Sequence, residues 1–475
     1  MTNAQKPRSN KKAWLLGCSI AAGVVLVAGG GVFAFFYNKY VDFGKASDTV
    51  DSDAAAYRKA GMPWEAKDLK NPIATSKNNA APLFLEADAM LGKDTLGAPF
   101  SKAQDLVLYK KYTEAQVVLQ AYEPALKLIE KATRQPFLDY AEDPDVGFLT
   151  HFPKLSYHKA YAKAFCLRAE IEAGLNEPDA AIRDLKTAWK VAVLTEQLPS
   201  YISMLIDVTI QRVVLDTIQQ IASIWKDDAD RLKALESVIR PNDLPSLPYA
   251  MRGEAYQGLT EIRNMNSYTT EKLLENEVAD SPSTKTSRTI DTSHLIRTGI
   301  PKDGKLRGFA ARHFQAWTEL KAALDKYPTE PEKLRQELIR LSDKWSSKET
   351  MSNMMVAISF SIMPDEAKVI VELQAETIAA RYLLEAMQMK VKTGKWPTKV
   401  DDLPGTWTDP FNGKPLLIKS GSDSFLAYSV GPNMMDDGGK RRSPGTDSSK
   451  ESDYDIVASY PPRPHKKAHV LATSP

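Results

Sequence analysis

Residues 13–37 read AWLLGCSIAAGVVLVAGGGVFAFFY and contain no Asp, Glu, Lys or Arg. A helix of this length is roughly 37 Å long, enough to cross a hydrocarbon layer of about 30 Å with some tilt. Upstream lie Lys6, Arg8, Lys11 and Lys12 with no acid, whereas Lys39, Asp42, Lys45 and Asp48 mix the signs downstream. Positive charge gathers on the cytoplasmic side of such segments. The expectation is therefore an uncleaved single-pass anchor in a bacterial inner membrane, with residues 1–12 cytoplasmic and the bulk of the chain periplasmic. A cleaved signal peptide is the rival reading. Its apolar region would be about 7–15 residues, shorter than this one, and bulky Phe35-Phe36-Tyr37 follow the small-residue site at Ala34. Leu15-Leu16-Gly17-Cys18 has the form of a lipidation box. However, most of the apolar run follows Cys18, so Cys18 reads as a small thiol within the membrane helix.

The 62 basic and 60 acidic residues leave a formal charge of +2, which provides no electrostatic footprint for nucleic acid. The two cysteines, Cys18 and Cys166, are far apart in the sequence, so no disulfide framework is expected. Cys166 reads as a buried apolar group on a helix.

Beyond the anchor the chain is expected to be mainly α: a stalk over 38–78, a repeat-like helical ectodomain over 79–363, and a long helix with a small antiparallel β-cap over 364–460. A tail over 461–475 is rich in Pro and basic residues. In the stalk one short helix is expected near Asp53–Ala60. Asn79 and Pro82 open the first ectodomain helix. Val118, Tyr122, Ala125 and Ile129 give one face of a second, in which Pro124 predicts a kink or restart. In 156–195, Ala160, Ala164, Leu167 and Ile171 line one helix, and Ala181, Leu185 and Ala188 line the next, after a turn at 174–178. This small-large-small spacing resembles the second helix of a tetratricopeptide repeat, in one copy.

Helix 200–224 is apolar around most of its circumference and is expected at the centre of the core. Within it Arg212 and Asp216 are spaced to pair. Further helices are expected at 250–263, 309–326 and 331–344, with a loop over 268–300. A Met-rich stretch at 351–363 places Met351, Met354, Met355, Ile358 and Ile362 on a flexible apolar face expected to pack in the core. The last helix, Pro364–Lys392, carries Glu366, Glu372, Glu376 and Glu385, each read as solvated, and stops at Gly394. Strands follow at 416–419, 425–430 and 455–459.

The C-terminal series Gly394-Lys395-Trp396-Pro397, Asp409-Pro410-Phe411-Asn412-Gly413-Lys414-Pro415, Tyr428-Ser429-Val430-Gly431 and Asp453-Tyr454-Asp455-Ile456 resembles the globular head of type II secretion major pseudopilins. It covers about 365–460. More loosely, residues 48–360 resemble the helical region of uncharacterised membrane-anchored envelope proteins. The pseudopilin resemblance implies a calcium-binding terminal loop. Asp453 and Asp455 match its ligand region, and Asp436 and Asp437 are further oxygen donors in this chain. Calcium takes six to eight oxygens from such loops. Here Asn433-Met434-Met435 replaces a polar turn, and Lys440-Arg441-Arg442 adds three positive charges.

No H-E-x-x-H, C-x-x-C, G-x-S-x-G or phosphate-binding glycine loop occurs. The first functional expectation is a non-catalytic, membrane-anchored binding or scaffolding protein, with envelope or secretion-system proteins as partners. The second is a pseudopilin-like filament subunit. The third is a hydrolase of envelope polymer working through an unrecognised acidic site. Against the second, no acid occurs in 13–37 and over three hundred residues separate anchor from head.

Overall fold

The computed structural model describes residues 48–70, 75, 77–91, 96–140, 155–240, 244–265, 298–327, 330–346, 354–405, 407–441 and 454–462. The expected anchor at 13–37, residues 268–297 of the expected loop, and the tail beyond 462 lie outside the described residues. Among the described residues no helix is long and apolar enough to cross a membrane. They are mainly helical, with one small antiparallel sheet.

The helices in chain order are α1 Val50–Lys59, α2 Ala81–Leu91, α3 Ala98–Leu108, α4 Tyr112–Leu119, α5 Glu123–Ala132, α6 Leu155–Gly174 and α7 Pro178–Thr195. They continue as α8 Tyr201–Ile224, α9 Ala229–Glu236, α10 Leu247–Asn264, α11 Gly304–Lys326, α12 Pro331–Ser346 and α13 Met354–Thr393. Strands β1 Leu417–Ser420, β2 Phe425–Ser429 and β3 Ile456–Tyr460 pair in the order β1-β2-β3. Leu417 faces Tyr428, and Phe425 faces both Ser420 and Tyr460.

Local chemistry sets the boundaries. Pro124 occupies the first turn of α5, and the helix before it ends in a 3-10 turn at Gln120–Tyr122. The expected interruption is thus a restart, since proline supplies no N–H to the helix ladder. Ser200 caps α8, its Oγ accepting the Ser203 amide at 3.1 Å. Asp228 caps α9 by accepting the Asp230 and Arg231 amides. Gly394 has φ +74° and donates its amide to the Lys390 carbonyl, closing α13.

Helix α13 organises the packing. At 1.5 Å per residue it is roughly 60 Å long, and its residues enter three apolar clusters. Val356, Phe360, Met363, Ala367 and Ile370 join α1, α10, α11, α12 and the start of α8. Leu373, Ile378, Ala379, Tyr382, Leu383 and Ala386 join the core of α2–α9 and the sheet. Val371 and Ala375 join Phe411, Val430, Tyr454 and Ile456 beneath the strands. Two expectations are corrected here. The Met-rich stretch and the last long helix are not separate, because α13 runs through Pro364. Its glutamates are not solvated positions either. Glu366, Glu372 and Glu385 are each 7% exposed and Glu376 is half-buried, because neighbours surround the helix from Glu366 onward. The turns before Glu366 keep an exposed stripe through Ile358, Ser361, Ile362 and Asp365, so the apolar face expected there to pack in the core is only partly covered.

The helical hairpin read from 156–195 forms as α6 and α7. Ala160, Ala164, Leu167, Ile171, Ala181, Leu185 and Ala188 are all buried. Residues 50–70 lie on the folded body. Tyr57 is fully buried against Phe314, and Arg252 of α10 donates to the Gly61 and Asp68 carbonyls. Buried Arg263 donates to the Trp64 carbonyl at 3.0 Å and lies over the Trp64 ring.

One backbone approach depends on a missing side chain. A Cβ on Gly253 of α10 would overlap the Pro199 carbonyl oxygen, whereas one on Gly304 would meet nothing within 4 Å. Gly253→Ala should therefore lower unfolding stability by about 1–3 kcal/mol or more, and Gly304→Ala should be neutral or slightly stabilising. Denaturant midpoints of the two variants check this contrast.

Candidate functional site

Of the four expected calcium ligands, Asp453 lies outside the described residues. The other three share one loop but face its own donors. Asp455 accepts the Gly439 amide at 2.6 Å and the Asp437 amide at 3.3 Å. Asp437 accepts from the Asn433 side chain at 2.8 Å, and Asp436 accepts the Gly438 amide at 2.9 Å. Lys419 donates its ammonium to the Gly438 carbonyl. Among the described residues no group of acids, histidines or cysteines is arranged to hold a metal. The described carboxylates accept N–H groups within their own loop.

Sequence reasoning missed Asp409, which works in the same way one turn earlier. It is 2% exposed and accepts from the Phe411 amide, the Ser429 hydroxyl and the Val430 amide at 2.9–3.0 Å. It ties the turn before β1 to the end of β2. Burial raises its carboxyl, and these hydrogen bonds pull the other way. The Asp-Pro-Phe-Asn-Gly turn was the available signal.

Arg212 does not pair with Asp216 as the spacing suggested. It reaches across to α13, where Nε meets Glu376 at 2.8 Å and Nη2 meets Glu372 at 3.0 Å. Tyr454 donates to the other Glu372 oxygen at 2.9 Å. One cation thereby joins α8, α13 and the segment entering β3. Desolvation pushes Glu376 up to about 7 against the pull of Arg212. A second arginine centre lies between α5, α6 and α7. Arg168 donates to Asp184 at 2.5 and 2.9 Å, to Glu123 at 2.8 Å and to Glu130 at 2.5 Å. Burial, then Asp184, raises the nearby Glu172.

Two further groups are buried polar sites. His158 is 1% exposed and stacks on Phe84. Thr195 donates its hydroxyl to the Val191 carbonyl, so it accepts from His158 Nδ1–H at 2.8 Å. Nε2 is then the acceptor for the Tyr140 hydroxyl at 2.8 Å. Burial alone lowers His158 to about 3. In the other core Glu254 accepts the Tyr201 amide at the start of α8. Burial pushes Glu254 up to about 7 and, with the charge of Glu254, pushes Glu366 up to about 9. In each of these groups burial favours the uncharged form. Cys166 is buried as expected, its thiol pushed up to about 12 by burial.

Among the described residues, a groove open to solvent lies between the end of α5 and the outer face of α7. Its volume is about 390 Å³, and Thr133, Asp179, Ile182, Arg183, Lys186, Thr187 and Lys190 line it. Asp179, Arg183, Lys186 and Lys190 follow at i, i+4, i+7 and i+11, which is one stripe of a helix. The opposite face of α7 is buried through Ala181, Leu185, Ala188, Trp189 and Ala192. The three cations make no ion pair within 4.0 Å among the described residues. No protein-family model, curated protein or solved structure matches the chain.

The buried groups set opposing pH limits. His158 and His313 are both lowered to about 3 from 6.5 by burial, so their contribution is complete above pH 6.5 and lost as pH falls toward 3. Glu366 is raised from 4.5 to about 9, so its contribution is complete below pH 4.5 and lost as pH rises toward 9. Glu366→Gln should flatten the alkaline limb of stability against pH and leave the acid limb in place. Urea midpoints measured from pH 4 to 9 test this; an unchanged alkaline limb would count against it.

Proposed function

We propose that the chain is a membrane-anchored, non-catalytic protein of the bacterial envelope whose helical body binds or scaffolds another envelope component. The carrying observation is the α5–α7 groove, an open, cation-lined surface on a helix whose other face is fixed in the core. Glu254, Glu376 and His158 support the same reading, since their partners are structural: a backbone amide, an arginine and neighbouring side chains. The apolar run at 13–37 supports attachment to the membrane.

Two measurements test the two parts. The full chain expressed in bacteria should stay in the membrane pellet after a carbonate wash, and a chain lacking residues 1–37 should not. Release of the full chain by carbonate would remove the anchor. A photo-crosslinking residue at Thr187 should give a discrete adduct in intact cells, and one at Lys102, on the exposed side of α3, should not. The absence of an adduct at Thr187 would remove the groove as the binding surface.

A further inference from the structure

We infer that the α5–α7 groove takes an extended acidic peptide segment of a partner protein; this rests on the groove being the binding surface of the body. Charge is the first argument. The groove holds Arg183, Lys186 and Lys190 against one acid, Asp179. Asp179 lies in the first turn of α7, where a carboxylate complements the positive helix end. Arg183 also feels Glu172 and Asp184 behind it, but Arg168 faces those two acids directly. The surplus positive charge is local, because the whole chain carries only +2.

Hydrogen-bond polarity is the second argument, and it selects a peptide over other anions. Thr187 donates its hydroxyl hydrogen to the Arg183 carbonyl at 2.9 Å, and Thr133 donates to the Glu130 carbonyl at 3.0 Å. Both threonines therefore meet the groove as acceptors. A ligand that satisfies them must bring N–H donors together with its negative charges. A peptide backbone does so with N–H donors at regular spacing along the chain, whereas an ionised fatty-acid carboxylate or a phosphodiester group brings oxygen acceptors alone.

Shape is the third. From Arg183 to Lys190 the stripe rises roughly 10 Å along the helix. Carboxylates on alternate residues of an extended chain lie about 6.6–7 Å apart, so two or three of them match the cations. Arginine offers paired donors that suit a carboxylate. Ile182 gives the segment an apolar contact, and the half-buried stem of Lys190 restrains its ammonium.

The test uses the full chain in nanodiscs and a fluorescein-labelled peptide of alternating Glu and Ala, read by anisotropy. Combined Arg183→Glu, Lys186→Glu and Lys190→Glu should weaken binding about tenfold or more, from the summed loss of exposed charge pairs. Reversal of Lys102, Lys226 and Lys233, exposed elsewhere, should leave it unchanged. Thr187→Val should weaken it a few-fold with every charge retained. Circular dichroism checks folding, and a triple Gln variant at the same three positions replaces the Glu variant if that one unfolds. Equal affinity in the groove and control variants would overturn the proposal. So would groove-dependent binding of phosphatidylglycerol vesicles with none of the peptide. A Thr187 crosslink in cells with no peptide binding would remove the acidic class and leave the binding surface; the absence of the crosslink would remove the surface itself.

Discussion

The structure depends on one helix being shared. α13 supplies side chains to the core of α2–α9, to the core around α10–α12, and to the cluster beneath the sheet. From Glu366 to Met389 its neighbours leave it no continuous solvent face, so the polar residues of that stretch lie largely inside. Ala375, Ala379, Ala380 and Ala386 are buried and small, which lets helices and strands approach its backbone closely. Tyr382 donates to the Trp407 carbonyl at 2.8 Å, fixing the chain that leaves α13 toward β1.

Charged side chains do the joining where apolar packing changes hands. Arg212 holds Glu372 and Glu376 at the seam between α8, α13 and β3, and Tyr454 completes the Glu372 carboxylate. Arg381 pairs with Glu236 of α9 at 3.0 Å and lies over the Trp407 ring. Arg168 does the same among α5, α6 and α7. Removing one partner from such a tie leaves a carboxylate desolvated and uncompensated, which costs more than the intact pair contributes. The ties therefore fix which surfaces meet, and they hold α7 with its cationic stripe turned outward.

Much of the architecture was legible in the sequence because its signals are local. Helical spacing marked α6, α7 and α8; proline and glycine marked the start of α5 and the end of α13; alternation and turns marked the three strands. Long-range choices were not legible. Arg212 has Asp216 four residues away, yet it pairs with residues more than 150 positions along the chain. The α13 glutamates look solvated when read alone and become buried once neighbours close around them. The aspartates of the C-terminal loop read as oxygen donors for a cation, and spacing alone did not show that Asp436 and Asp455 accept backbone N–H groups of the same loop. The groove could not be read either, because exposed lysines on an amphipathic helix carry no mark of the threonine that packs beside them.

If α13 couples the three clusters, the helical body and the strands should open together. Native-state hydrogen exchange on the full chain tests this most directly. The slow amides of α6, of α13 on both sides of Pro364 and of β2 should share one opening free energy. Leu373→Ala, which leaves a cavity in the main core, should lower all of them equally, by about 2–5 kcal/mol. Exchange of the β2 amides at a distinctly lower free energy, unmoved by Leu373→Ala, would contradict the shared helix as the basis of the fold.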